Sequence, residues 1–413
     1  MKVLWFEITK PSNYDNQKTF LGGWQDSLET LLKTQKDIDL HVSFVSKAES
    51  EVIRVDGVTY WPLCYKYNVL SKIKRLFTWE VEKNLCINEC KRVVETVKPD
   101  IIHVFGTEYP FAFISQYTTI PVVVHIQGCI VAYHNASSPP GYNRNTFVKQ
   151  SFPNIAKQIY TYIKDHKELT RVQMEYDIWR SVRHFMGRTI WDKALTATLS
   201  GSANYYCVNE AIRPLFHQTN KVWAYQKRNK LKLVTIGIGT FWKGPELILK
   251  TAHILKTKGV DFEWYVAGAI RRDVKKVVEK QENLSYEDNN IKILGFQTPS
   301  ELIELLTDCS LYVHCAYIDN SPNSICEAQL LGVPILSTNV GGIESLVENN
   351  KTGSLVPAND PWRMAYEIIV LSQDQDRLEK MSFNASLCAR DRHSTSRILE
   401  ELMNCYYSII ANK

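Results

Sequence analysis

Two carboxylates with a helix start between them dominate the stretch YIDNSPNSICEAQLLGVPILSTNVGGIESLVENN at 317–350. They are Asp319 and Glu327, with seven residues separating them. Ser321 suits the N-cap and Pro322 the first helical position, where a missing N–H costs nothing. The amides of Asn323 and Ser324 then point out of a helix N-terminus, which attracts an anion such as a diphosphate. Glu327 lies about one and a half turns in and faces the same mouth. Because like charges repel, its carboxylate suits hydroxyls, such as those of a ribose, rather than the phosphate itself. The helix is expected to end at Leu331-Gly332, and Val333-Pro334-Ile335-Leu336 to begin a buried strand. That strand leads to Gly341-Gly342, which open a further helix start at Ile343-Glu344.

A cation complements this stretch. Lys243 lies in the loop Gly239-Thr240-Phe241-Trp242-Lys243-Gly244, between a strand at 233–238 and a helix starting at Pro245. From there its ammonium can reach a diphosphate. Earlier in the chain, Pro121 to Gly128 makes an apolar strand whose end carries His125 and Gln127 on one face. Ligands of open parallel sheets gather beyond the carboxyl ends of strands, so His125 is a candidate ligand-contacting residue. A histidine satisfied in the core is the other reading. Gly22-Gly23-Trp24, between a first strand at 3–8 and a helix over 23–35, suits either a phosphate- or sugar-contacting loop or a plain tight turn.

The elements that must position these groups alternate between strand and helix. Strands are expected at 3–8, 40–45, 101–106, 121–128 and 205–208, with a hairpin around Asp56-Gly57. A helix over about 155–186 follows a polar loop at 132–146. Arg188 and Asp192, four apart, suit a helix ion pair. The polar, lysine-rich run 221–230 suits a linker. After it the rhythm restarts, with strands at 233–238, 262–267 (ending at Gly268), 291–294 and 311–314. Thr298-Pro299-Ser300-Glu301 spells a capping box. Two rounds of alternation predict an α/β protein with two doubly wound parallel sheets.

The Asp319–Glu327 stretch resembles the donor site of the family 4 retaining nucleotide-sugar glycosyltransferases, which have the GT-B fold. Their signature is two glutamates separated by seven residues at a helix start, followed by a Gly-x-Pro strand and a Gly-Gly turn. Asp319 stands where the first glutamate is expected, and Glu327-Ala328 match the second and its alanine. The resemblance covers 232–357 best and extends more weakly over 1–210. It implies an N-terminal acceptor-side Rossmann-like domain over 1–210 and a nucleotide-sugar-binding domain over 230–385. The two would face a cleft, with a C-terminal helix at 394–413 crossing back to the first domain. Asp319, His125 and Lys243 would form the catalytic group. Glu327, Asn323, Ser324, Gly22, Gly23, Gly268, Gly341 and Gly342 would bind the donor. The family usually places an arginine a few residues before Lys243; Gly239-Thr240 stand there instead.

The implied reaction uses a nucleotide-diphosphate sugar as co-substrate, with no other cofactor, no metal and no protein nucleophile. The acceptor would be a glycan or a lipid-linked glycan, in surface polysaccharide or glycolipid synthesis. A sugar-nucleotide epimerase of the same fold and a non-catalytic nucleotide-sugar binder are the alternatives. Asp37-Ile38-Asp39 and Asp374-Gln375-Asp376 spell the metal-binding pattern of a different glycosyltransferase fold and are taken as coincidence.

Composition bounds the remaining classes. At 413 residues two domains are the default. A hydrophobic share of 45% and a net charge of +5 suit a globular protein and argue against nucleic acid as the main partner. Ten scattered cysteines without metal-type pairing fit a reducing cytoplasm. No apolar run is long enough to span a membrane. The run VLSKIKRLFTW at 69–79 is a basic amphipathic helix, suited either to the core or to peripheral contact with the anionic inner face of a membrane. Lys157, Lys164, Lys167 and Arg171 would add to such a basic surface.

Overall fold

A computed structural model describes residues 1–15, 23–142, 146 and 154–412. Gly22 therefore lies outside the described residues, as does the side chain of Lys157. The chain divides into two compact units: residues 1–134, 151–211 and 394–413 form unit 1, and 135–150 with 212–393 form unit 2.

Among the described residues, unit 1 is built on eight strands: β1 (Lys2–Glu7), β2 (Asp39–Ser46), β3 (Ile53–Val55), β4 (Val58–Cys64), β5 (Ile101–Phe105), β6 (Val122–His125), β7 (His184–Gly187) and β8 (Asn204–Cys207). Their order is β3-β4-β2-β1-β5-β6-β7-β8, and all neighbours are parallel except the β3–β4 hairpin. That hairpin turns on Asp56 and Gly57, both at positive φ (50° and 85°), which the mirror-image two-residue turn requires.

The central strands are buried on both faces, as expected of a sheet with helices above and below. Leu4, Phe6, Ile102, Val104, Val122 and Val124 face the helices Glu80–Val97 and Ile155–Ser181. The alternate residues Val3, Trp5, Ile101 and Val123 face the helices Trp24–Leu32 and Thr395–Ala411. The C-terminal helix thus completes unit 1. Its Tyr406 hydroxyl accepts from Trp5 Nε1 at 3.0 Å and meets His103 Nδ1 at 2.6 Å.

Among the described residues, unit 2 has six strands, all parallel: β9 (Leu231–Ile236), β10 (Phe262–Ala267), β11 (Ile291–Gly295), β12 (Leu311–His314), β13 (Ile335–Thr338) and β14 (Ser354–Val356). Their order is β11-β10-β9-β12-β13-β14. The chain runs outward from β9 to one edge, returns, and runs outward from β12 to the other. β9 and β12 pair directly, Leu233 opposite Leu311 and Val234 opposite Tyr312, so their carboxyl ends flank a topological switch point.

Several sequence expectations are corrected. The helix expected over 155–186 ends at Ser181, and Phe185 enters β7, a strand too short for its period to show. Residues 130–135 form a helix at the start of the expected loop. The run 221–230 packs onto unit 2: Trp223 is buried and its Nε1 donates to the Cys309 carbonyl at 2.8 Å. Asp192 closes a capping box with Thr189, while the Arg188 guanidinium donates to the carbonyls of Ile126 and Gln127 at 3.1 and 3.2 Å. The Thr298–Glu301 capping box forms as expected.

Candidate functional site

Lys243 and Asp319 sit on the loops that leave β9 and β12, one on each side of the switch point. The Lys243 ammonium is hydrogen-bonded to Asp319 Oδ2. His314, the last residue of β12, brings Nε2 to 3.1 Å from the same oxygen. The Asn320 N–H donates to Asp319 Oδ1 at 3.2 Å. Burial pushes the Asp319 carboxyl up, but the Lys243 ammonium and the His314 imidazole outweigh it and hold the group below its ordinary range. Asp319 is therefore a committed carboxylate, an acceptor of hydrogen bonds and not a proton donor. The sequence pattern marks His314 only as the end of a strand. Its signal was its place at a strand's carboxyl end, five residues before the acid.

Glycines set the backbone beneath this pair. Gly341, at φ 54°, lies so close to Asp319 that an added Cβ would fall 2.0 Å from the Asp319 carbonyl oxygen. The Gly342 N–H donates to that carbonyl at 2.9 Å. The Gly-Gly turn thus holds the Asp319 loop from behind. Gly244 does the same for Lys243: at φ 69°, its Cβ would fall 1.9 Å from the Cys315 carbonyl oxygen. The Tyr317 N–H donates to the Trp242 carbonyl at 2.7 Å, a second tie between the two loops. Gly268, at φ 94°, bonds through its N–H to the Gly295 carbonyl at 2.7 Å and packs against Gly237. At Gly239 a Cβ would meet the Ala269 carbonyl at 3.1 Å, which leaves little room for the arginine expected nearby.

The helix after Asp319 spans Asn323–Leu330, and Pro322, not Ser321, takes the N-cap position. Proline's ψ of 121° turns the chain into the helix one residue later than expected. Asn323 and Ser324 still head the helix, where the first-turn amides lack intrahelical acceptors. Gly341-Gly342 lead into only a short 3-10 turn, Ile343–Ser345, not a full helix.

Glu327 is buried, and both of its oxygens are held by one residue. Arg213 Nε meets Oε1 at 2.7 Å and Nη2 meets Oε2 at 2.8 Å. Burial pushes the Glu327 carboxyl up, and the Arg213 guanidinium opposes that shift. Arg213 was missed. It lies far upstream, before a proline, in a segment with no local pattern pointing to the helix Asn323–Leu330.

In unit 1, His125 ends β6 and is fully buried. It meets Trp24 edge-on at a centroid distance of 4.8 Å and stacks on His103 at 5.4 Å. Burial, helped by the Arg188 guanidinium, pushes its pKa down to about 3, so the ring is neutral. It sits inside an aromatic layer with Trp24 as its cover. Gly23 caps the helix Trp24–Leu32, with open space where a side chain would stand.

Both acidic triplets have structural partners. The Asp37 carbonyl accepts from the N-terminal ammonium and its carboxylate from Tyr407 at 3.0 Å, while Asp39 pairs with His41 and Arg54. Asp374 caps the helix Gln375–Arg392.

Residues 218–387 match the family model described as "Glycosyl transferases group 1", which takes in Lys243, Asp319 and Glu327. The capsular polysaccharide biosynthesis glycosyltransferase CapM of Staphylococcus aureus is 25% identical over 168 residues. That match spans 41% of this chain and 43% of CapM, less than half of either. Among solved structures, the sucrose-phosphate synthase of Thermosynechococcus elongatus superposes with a TM-score of 0.72, at 13% identity, over 100% of both chains. Anabaena HepE, solved in complex with UDP-glucose, gives 0.67 at 16% identity over 99% of this chain and 100% of its own. The fold is GT-B.

Proposed function

We propose that this chain is a glycosyltransferase. It moves a sugar, with retention of configuration, from a nucleoside-diphosphate donor to a glycan or lipid-linked acceptor in surface polysaccharide or glycolipid synthesis. The observation that carries the reading is the Lys243–Asp319 pair at the unit 2 switch point, beside the helix N-terminus at Asn323. That arrangement falls inside the stretch matched to the group 1 glycosyl transferases. Negative charge builds on the departing diphosphate, so a fixed ammonium and helix amides lower the barrier. Lys243 and the Asn323 and Ser324 amides supply them. Asp319, ionised throughout, accepts from hydroxyls of the donor sugar.

Glu327 presents to the ribose the lone pairs that Arg213 leaves, since each carboxylate oxygen carries two. The acceptor oxygen bonds the anomeric carbon on the face from which the phosphate departs, and its proton passes to the leaving phosphate oxygen. No protein nucleophile enters. Uridine diphosphate sugars are the first donors to test, because HepE was solved with one. The acceptor is met at the inner face of a membrane, to which the cytoplasmic protein is held peripherally.

The test is release of free nucleotide from a panel of nucleotide sugars, with and without glycan acceptors. Release that depends on the acceptor is expected, together with an axial-to-axial or equatorial-to-equatorial outcome at the anomeric carbon by NMR. Epimerised donor, or binding without turnover, would replace this reading by one of its alternatives. Activity is expected to survive EDTA, with Lys243 and the amides meeting the phosphate charge. Loss on chelation that manganese restores would overturn that part.

A further inference from the structure

Unit 1 carries an apolar cluster that its own core does not use. The helix Val69–Lys74 buries none of its residues. Val69 is 76% exposed, Leu70 74% and Ile73 54%; in the turn that follows, Leu76 is 55% and Phe77 44% exposed. Isolated exposed apolar residues are ordinary, but five large ones within nine positions are a concentration of the kind that marks an interaction site.

A helix this short does not hold itself in water. It is fixed from its ends. Asn68 Oδ1 accepts from the Ser71 N–H at 2.8 Å, Arg75 Nε meets Glu82 Oε1 at 3.0 Å, and the Arg75 guanidinium lies over the Tyr67 ring. Trp79 anchors the base through its N–H to Thr170 Oγ1 at 3.1 Å. A second exposed apolar line, Ile155, Ile159, Tyr162 and Leu169, runs along one side of the long helix and ends beside that anchor.

Within the segment the charge has one sign, with Lys66 and Arg75 paired to Glu49 and Glu82 from outside it and Lys72 and Lys74 facing outward. Residues 66–79, KYNVLSKIKRLFTW, hold Lys66, Lys72, Lys74 and Arg75 and no carboxylate. Lys72 and Lys74 are exposed in the helix's last turn. Two cations expected to add to this surface act inward instead. Lys167 lies 3.4 Å from Glu82, Arg171 donates to the Glu108 carbonyl at 3.0 Å, and both cover Trp79.

We infer that Val69–Phe77 is a membrane-docking element that seats its five apolar side chains at the headgroup–acyl boundary of an anionic bilayer while Lys72 and Lys74 meet the lipid phosphates. Apolar side chains ringed by lysine match that boundary. A second copy packed symmetrically on this face would set the exposed Lys72 and Lys74 of each copy against those of the other. The inference deepens the acceptor reading above, and each can fail without the other.

The experiment is co-sedimentation of the full chain with vesicles of phosphatidylcholine alone or mixed with phosphatidylglycerol, at low and high salt and without donor. Binding to the anionic vesicles is expected at low salt, with a measurable part persisting at high salt because the apolar contact is unscreened. Lys72→Glu with Lys74→Glu should lower low-salt binding about tenfold or more. Leu70→Ser with Ile73→Ser should lower it at both salts. Because these side chains are exposed, the variants should melt with the wild type and bind nucleotide sugar equally well without vesicles. Wild type left in the supernatant with anionic vesicles at low salt overturns the inference. So does a wild-type dimer in solution that Ile73→Glu dissociates, which would mean the face is covered by a second copy.

Discussion

Arg213 and Glu327 form a two-point ion pair inside unit 2, at 2.7 and 2.8 Å, with the carboxylate buried. The pair ties the start of the chain's second half to the helix that follows Asp319. Fork-to-fork geometry offsets part of the desolvation of both ions, and removing one partner strands the other. Glu327→Ala is therefore expected to lose turnover and also about 3 kcal/mol of stability. Arg213→Met should cost a similar amount, and Arg213→Met with Glu327→Leu less than the sum of the two. Urea unfolding measures this; strictly additive losses would show that the two residues are not coupled.

Lys243→Met is expected to lower turnover by at least about a hundredfold while the fold is kept. It should also raise the Asp319 pKa, because the ammonium is a main force holding that carboxyl low. An acid limb of the pH–rate profile that moves upward in the residual activity is the specific sign. A profile that stays in place while the rate falls would mean that Lys243 does not govern Asp319.

Gly341→Ala tests the backbone support. The residue needs positive φ, and its Cβ would overlap the Asp319 carbonyl oxygen, so the Asp319 loop must shift. Donor KM is expected to rise about tenfold, one rearranged hydrogen-bonding group being worth roughly 1–2 kcal/mol. An alanine variant with wild-type KM would place the Gly-Gly turn outside the donor site.

Glu246 gives a pH dependence. It is fully buried beneath the Lys243 loop, with the Tyr317 hydroxyl on one oxygen, and Lys250 and Glu282 also act on it. Burial is the largest cause that pushes its pKa up to about 7 from 4.5. The folded protein therefore binds this proton more tightly than the unfolded chain does. The stability it contributes is complete below 4.5 and is lost as pH rises through 7. Between pH 5 and pH 8 the wild type should lose about 2.5 kcal/mol more than Glu246→Gln, whose amide stays neutral. Parallel stability curves for the two proteins would refute this.

The sequence by itself determined most of the βα rhythm of both units, the loop carrying Lys243, the presence of a helix after Asp319 though not its N-cap, and the Thr298–Glu301 cap. Each is written in neighbouring residues, through side-chain period, capping chemistry or turn propensity, so it can be read without knowing what lies across the sheet. Only the tertiary structure decided which groups meet. Strand order brought the ends of β9 and β12 side by side and so joined Lys243, His314 and Asp319; a residue's spacing carries no record of which strand its own will pair with. Arg213 came to Glu327, and Gly341 to the back of Asp319, for the same reason. His125 sits at the predicted strand end, yet the aromatic layer under Trp24 decided that it is buried and neutral. The run 69–79 showed its amphipathic pattern in the sequence, but a stripe looks the same whether it faces a core or a membrane. The unit 1 core closed without it, and that is what left its apolar side outward.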